Sequence, residues 1–93
     1  MQFEWDEKKN NENIKKHGIS FLRAAQIFFD PKMIDMPDIA HSNESEERWN
    51  GIGMCGRVLF VVYTERNNKI RIISARKANE KERIEYYRNY DLR

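Results

Sequence analysis

A single cysteine, Cys55, leaves no partner for an internal disulfide, and with two histidines the chain cannot supply four Cys or His ligands at zinc spacing. No structural metal and no cofactor is expected. Two prolines and four glycines leave no low-complexity segment or linker. The longest apolar run, Val58 to Tyr63, is far too short to span a bilayer. The N-terminus has no basic segment followed by an apolar one, so a cytoplasmic protein without membrane contact is expected. At 93 residues, one domain spanning 1–93 is the expectation.

What the chain does have is charge, at 34% of residues against 40% apolar, a globular rather than disordered composition. Its net charge of +2 is unevenly spread. Residues 1–65 hold 8 basic and 11 acidic side chains, a balance of −3, and residues 66–93 hold 9 and 4, a balance of +5. A basic excess clustered in this way points to a polyanionic partner, or else to a solvated helix face carrying salt bridges.

The local signals run in order. Phe3 to Trp5 alternates as a short strand or a docking arm. Asp6 caps a helix from Glu7 to about His17, closed by Gly18, with His17 a C-terminal cation or cap. Ser20 caps a second helix with the stripe Phe21, Ala24, Ala25 and Phe28, which Asp30-Pro31 ends. Met33, Ile34 and Met36 suggest a brief edge strand, and a polar loop, 38–45, follows. His41 in that loop reads as an ordinary loop residue, since no second histidine is in view. A strand is expected over Glu46 to Met54 and two more in the hairpin RVLFVVYTERNNKIRIISARK, Arg57 to Lys77, turning at Asn67-Asn68. The last helix starts at Asn79, with Glu82 completing a capping box and Ile84, Tyr87 and Tyr86 on the inward stripe. The coarse order is β-α-α-β-β-β-α, an α+β fold with a mainly antiparallel sheet, two N-terminal helices on one face and a C-terminal helix.

Two-residue turns at Cys55-Gly56 and Asn67-Asn68 pair Ile52 with Leu59, Val62 with Ile73 and Phe60 with Ala75. On that register one face carries Trp49, Gly51, Gly53, Val58, Phe60, Val62, Ile73 and Ala75, with Arg66, Lys69 and Arg71 at its hairpin end. The other carries Arg48, Asn50, Ile52, Arg57, Leu59, Tyr63, Ser74 and Arg76. Three arginines on one face suit a phosphodiester, through paired N–H donors. The alternative is a set of structural ion pairs with Glu47, Glu65, Glu82 or Glu85.

FEWDEKKNNENIKKHGISF, EERWNGIG and above all VVYTERNNKIRIISARKANEKERIEYY resemble the BrnT family of type II toxin-antitoxin ribonuclease toxins, in the same order over nearly the whole chain. Leu22 departs from the acidic residue frequent there, on a helix remote from the candidate site. The resemblance implies a RelE-like domain, metal-independent RNA cleavage that halts translation, neutralisation by a BrnA-like antitoxin, and operator DNA binding only through the antitoxin complex. It implies catalytic roles for Arg48, Arg66, Arg76 and Tyr86, with Arg71 and Lys77 in support. Arg57 and Lys81 extend the RNA-binding basic surface. The face map agrees for Arg48 and Arg76 and separates Arg66, unless the turn contains a bulge or Arg66 reaches round the sheet edge.

The expected chemistry is attack of the RNA 2′-hydroxyl on its own phosphate. Arg76 and Arg48 stabilise the phosphorane, and Tyr86 stacks on a base or donates a proton. The general base is open between Glu82, a desolvated Lys77 and a ribosomal group, with capping the preferred role for Glu82. The rival reading is a non-catalytic nucleic-acid or partner-binding module, or a degenerate toxin retained as a corepressor.

Overall fold

Asn67 and Asn68 both take positive φ, 54° and 63°, so the predicted tight turn forms and sets Arg66 opposite Lys69. The computed structural model describes residues 1–43 and 45–91. The hairpin strands are β4 (Arg57–Arg66) and β5 (Lys69–Lys77), and β1 (Gln2–Glu4), β2 (Ile34–Pro37) and β3 (Arg48–Cys55) complete the sheet. The strand order is β1-β5-β4-β3-β2, with β1 parallel to β5 and every other neighbour antiparallel. Among the described residues there are therefore five strands, one more than the expected order counts. Both the N-terminal stretch and the Ile34–Pro37 segment hydrogen-bond into the sheet.

The helices start and stop where local chemistry dictates. Asp6 accepts the Lys9 N–H at the start of α1 (Glu7–His17), and Gly18, at φ 71°, returns its N–H to the Ile14 carbonyl. Ser20 caps α2 (Phe21–Ala25) through the Arg23 N–H. The chain then tightens into a 3-10 turn, Gln26–Phe29, which rotates Ile27 into the core beside Phe21 and Ala24. Asn79 and Glu82 cap α3 (Glu80–Asp91) reciprocally at 2.8 and 2.9 Å. On α3 the inward residue is Tyr86, whereas Ile84 and Tyr87 are exposed, contrary to the expected stripe.

Two cores result, one on each face of the sheet. Leu59, Val61, Tyr63, Ile72 and Ala75 pack beneath α2 and its 3-10 extension, and Ile52, Val58 and Ala78 pack with Tyr86. Gly53 is where the 3-10 turn approaches β3. A Cβ there would lie 2.7 Å from Ile27 Cβ and 3.3 Å from its carbonyl oxygen. α1 has almost no apolar face, and it docks through asparagine instead. The Asn13 amide donates to the carbonyls of Ala75 and Ile19, both at 2.8 Å, and accepts the Ala75 N–H at 3.2 Å. This completes the edge of β5 beyond the end of β1, which pairs only with Lys69 to Arg71.

Two departures from the expected register decide which residues share a face. The β3–β4 turn closes around Gly56 alone, at φ 75°, with Cys55 opposite Arg57, so Ile52 faces Phe60 rather than Leu59. In the hairpin, Tyr63 faces Ile72 as expected, but Val62 faces Ser74, leaving Ile73 as the extra residue of a bulge. Each one-residue slip inverts the faces beyond it. Leu59, Val61 and Tyr63 therefore join Trp49, Gly51 and Gly53, and Val58, Phe60 and Val62 move to the face of Arg48. The two slips cancel for Ser74 and Arg76, which keep company with Arg48 and Asn50. Arg66 and Arg71 lie before the bulge and so fall on the same face as Arg48, correcting their expected separation. Among the described residues no helix is long and apolar enough to cross a membrane.

Candidate active site

On this second face a cavity of about 410 Å³ is lined by Asp38, His41, Arg48, Asn50, Phe60, Val62, Ile73, Ser74 and Arg76. Three strands and one loop supply these residues, and the bulge at Ile73 turns Ser74 and Arg76 toward Arg48.

The loop is fastened to the start of β3. The Asp38 N–H donates to the Arg48 carbonyl at 2.8 Å. The Ser42 hydroxyl donates to the Asp38 carbonyl at 2.8 Å and accepts the Arg48 N–H at 2.9 Å. Held in this way, the short 3-10 turn Ile39–His41 presents His41 beside its own partner. Nδ1 lies 2.9 and 3.0 Å from the two carboxylate oxygens of Asp38. A carboxylate only accepts, so Nδ1 carries the proton and Nε2 of the neutral ring is a free base. Asp38 is largely buried, at 14% side-chain exposure, and His41 is open to the cavity mouth at 69%.

Arg76 is held on three sides. Its guanidinium carbon lies 4.2 Å from the centre of the Phe60 ring, and its two terminal nitrogens grip Glu82 at 2.8 and 2.9 Å. A third bond runs to the Lys77 carbonyl at 3.1 Å. Burial pushes the Glu82 carboxyl up, but the hydrogen bonds from Arg76 and the Asn79 N–H outweigh it and hold the group below its usual range. A carboxylate committed to these donors is a poor proton acceptor. Arg48 differs from Arg76, with no ion pair among the described residues, and its charge is available to an incoming anion. Asn50 lines the cavity, and its Oδ1 is buried without a hydrogen-bond partner among the described residues.

Of the residues singled out in the sequence, Arg48 and Arg76 meet in the cavity. Arg66 shares their face but is tied to Glu46 at 3.2 Å near the hairpin turn, and Arg71 is paired with Glu4 at 2.6 Å. Arg57, opposite Cys55, and Lys77, opposite Leu59, have the parity of the helix-packed face and are exposed. Lys81 is exposed on the first turn of α3. Tyr86 is elsewhere, 1% exposed in the second core, its hydroxyl donating to Asp30 Oδ2 at 2.6 Å. The same Asp30 oxygen accepts the Met54 N–H, so the tyrosine ties α3 to the end of the first helical layer. The sequence reading makes His41 an ordinary loop residue, where the structure sets it in the cavity, and it does not single out Asp38 or Ser42. The available signal was an Asp-x-x-His spacing in a polar loop just ahead of an arginine-led strand.

The model of the ribonuclease toxin BrnT of type II toxin-antitoxin systems matches residues 5–82. The chain belongs to the BrnT family. The crystal structure of the Brucella abortus ribonuclease toxin BrnT is similar, with a TM-score of 0.67 and 25% identity, covering 86% of this chain and 99% of that one. No curated protein matches. The BrnT-matched span takes in every residue of the cavity and ends at Glu82, the partner of Arg76. Membership of a type II toxin-antitoxin family brings with it an antitoxin partner.

Proposed function

We propose that this BrnT-family chain is a metal-independent endoribonuclease whose active site is the cavity between Arg48, Arg76 and the Asp38–His41 pair. The observation that carries this reading is the convergence of two arginines with a carboxylate-oriented imidazole in one cavity. His41 Nε2 takes the proton of a ribose 2′-hydroxyl, and the 2′-oxygen forms a bond to the adjacent phosphorus. The bond from phosphorus to the 5′-oxygen breaks, and that oxygen leaves with a proton from water. The products are a 2′,3′-cyclic phosphate and a 5′-hydroxyl. Arg48 and the N–H groups of Arg76 left over from Glu82 stabilise the charge that builds on the phosphorane oxygens. Neither Glu82, bound to Arg76, nor Lys77, on the opposite face, is as well placed to act as base.

The protein acts as a single domain in the cytoplasm, where RNA cleavage inhibits translation. A BrnA-like antitoxin neutralises it, and operator DNA is reached only through that complex. The test is to purify the toxin away from its antitoxin and follow RNA integrity with and without ribosomes. Scission by the wild type is expected, reduced about 10²–10⁴-fold in His41→Asn and by a comparable factor in Arg48→Ala. Asp38→Asn should show a smaller loss through the wrong tautomer. Intact RNA with retained, salt-sensitive binding would mean a phosphate-gripping module rather than a nuclease.

A further inference from the structure

Two unlike recesses lie near the cavity, and one of them shares its wall. Toward the hairpin turn lies a recess of about 310 Å³ lined by Glu46, Glu47 and Glu65, of which Glu46 is paired with Arg66, so its surroundings are more acidic than those of α1. On the other side, Ile73 and Ser74 also form the wall of a second groove, of about 270 Å³, whose opposite wall is α1. Lys9, Lys16 and His17 line that groove, with Glu12 the one acidic side chain among its lining residues. Neither Lys9 nor Lys16 has an ion-pair partner among the described residues. The groove exists because α1 is anchored at Ala75 by Asn13, one residue from Ser74, beyond the end of β1. A strand that leaves the cavity over the bulge thus meets a helix surface presenting spaced ammonium groups at i and i+7.

We propose that the α1 groove is an extension of the RNA site, in which Lys9 and Lys16 hold the phosphates of nucleotides next to the one in the cavity. This rests on the nuclease reading for the cavity's ligand. The substrate class is accordingly an extended single strand that crosses the edge of β5, and affinity grows with strand length in that direction. Lys15 provides a control, since it sits on the same helix with the same charge but does not line the groove.

The experiment measures binding of single-stranded 2′-O-methyl RNA, which lacks the attacking hydroxyl, as a trinucleotide and as a decanucleotide over a range of salt. The wild type should bind the longer probe more tightly. In the K9E/K16E variant that gain should fall roughly tenfold or more, and the salt slope should become shallower by roughly 1.4, as for two phosphate contacts on a single strand. The K15E variant should keep the gain. If K9E/K16E keeps the wild-type gain, or K15E loses as much of it, the groove is not an RNA path. Circular dichroism of each variant checks that α1 remains folded. A separate result, wild type that binds long RNA through Lys9 and Lys16 but never cuts the unmethylated strand, would retain the groove and remove the nuclease reading.

Discussion

The guanidinium of Arg76 lies over the ring of Phe60, at 4.2 Å, because Ile73 is the unpaired residue of a bulge. Were Ile73 instead paired with Val62, Ala75 would face Phe60, and Arg76 would fall opposite Leu59, on the face packed by α2. Phe60→Leu keeps apolar volume and removes the aromatic face. It should cost about 0.5–1 kcal/mol of stability from the lost cation–π contact. RNA cleavage should fall further than stability, because the arginine loses one of its supports. Urea unfolding and single-turnover cleavage of the same preparation measure the two effects.

The Arg76–Glu82 pair makes a prediction about pH. Glu82 is held below its usual value of 4.5 in the folded chain. Its contribution to stability is therefore present above that value and lost as pH falls through the lower, folded value. Glu82→Gln retains an acceptor for the capping box but gives up the charge, and should cost up to about 1 kcal/mol near neutral pH. The gap between wild type and variant should close below the usual carboxylate value. A gap that stays constant down to strongly acid pH would mean that the pair contributes nothing through its charge.

Tyr86 separates the family expectation from the geometry. Its buried hydroxyl donates to Asp30 at 2.6 Å, and Tyr86→Phe should cost about 1.5–3 kcal/mol, the range for a hydrogen bond to a charged group. If Tyr86 serves only as this tie, cleavage by the folded variant stays within a fewfold of wild type. If it donates a proton during the reaction, cleavage falls by orders of magnitude while binding of uncleavable RNA persists. Thermal unfolding together with initial rates distinguishes the two.

Asn13 is the residue through which α1 is docked. Asn13→Leu fills the space but leaves the N–H and carbonyl of Ala75 without partners, and should cost about 2–3 kcal/mol. Hydrogen exchange should show the loss locally, at the Ala75 amide and along α1, before the rest of the sheet is affected.

Much of this architecture is legible in short windows. Asp6, Ser20 and Asn79 cap their helices through contacts only a few residues away, Gly18 takes its left-handed conformation, and Asn67-Asn68 turns as its dipeptide requires. Long-range pairing is not legible in this way. Cys55-Gly56 can close as one residue or two, and nothing local in KIRIISARK marks Ile73 as unpaired, yet each choice inverts a strand. The placement of Arg48 with Arg76 came out the same from the sequence only because the two slips offset one another. Arg66 did not benefit from that cancellation. The expected inward stripe on α3 gave way for a related reason, since helical spacing cannot say which of Ile84, Tyr86 and Tyr87 meets Asp30.

By itself, the sequence determined the helix caps, the hairpin and its turn, the clustered positive charge and, through its resemblance, the family. These depend on interactions within a turn or two of chain, or on residue identities in order. Only the tertiary structure decided that His41 and Asp38, fastened through Ser42 to the backbone of Arg48, face the same cavity as Arg76. That juxtaposition depends on pairings between residues far apart in the chain, and on the one extra residue, Ile73, that turns Arg76 toward them.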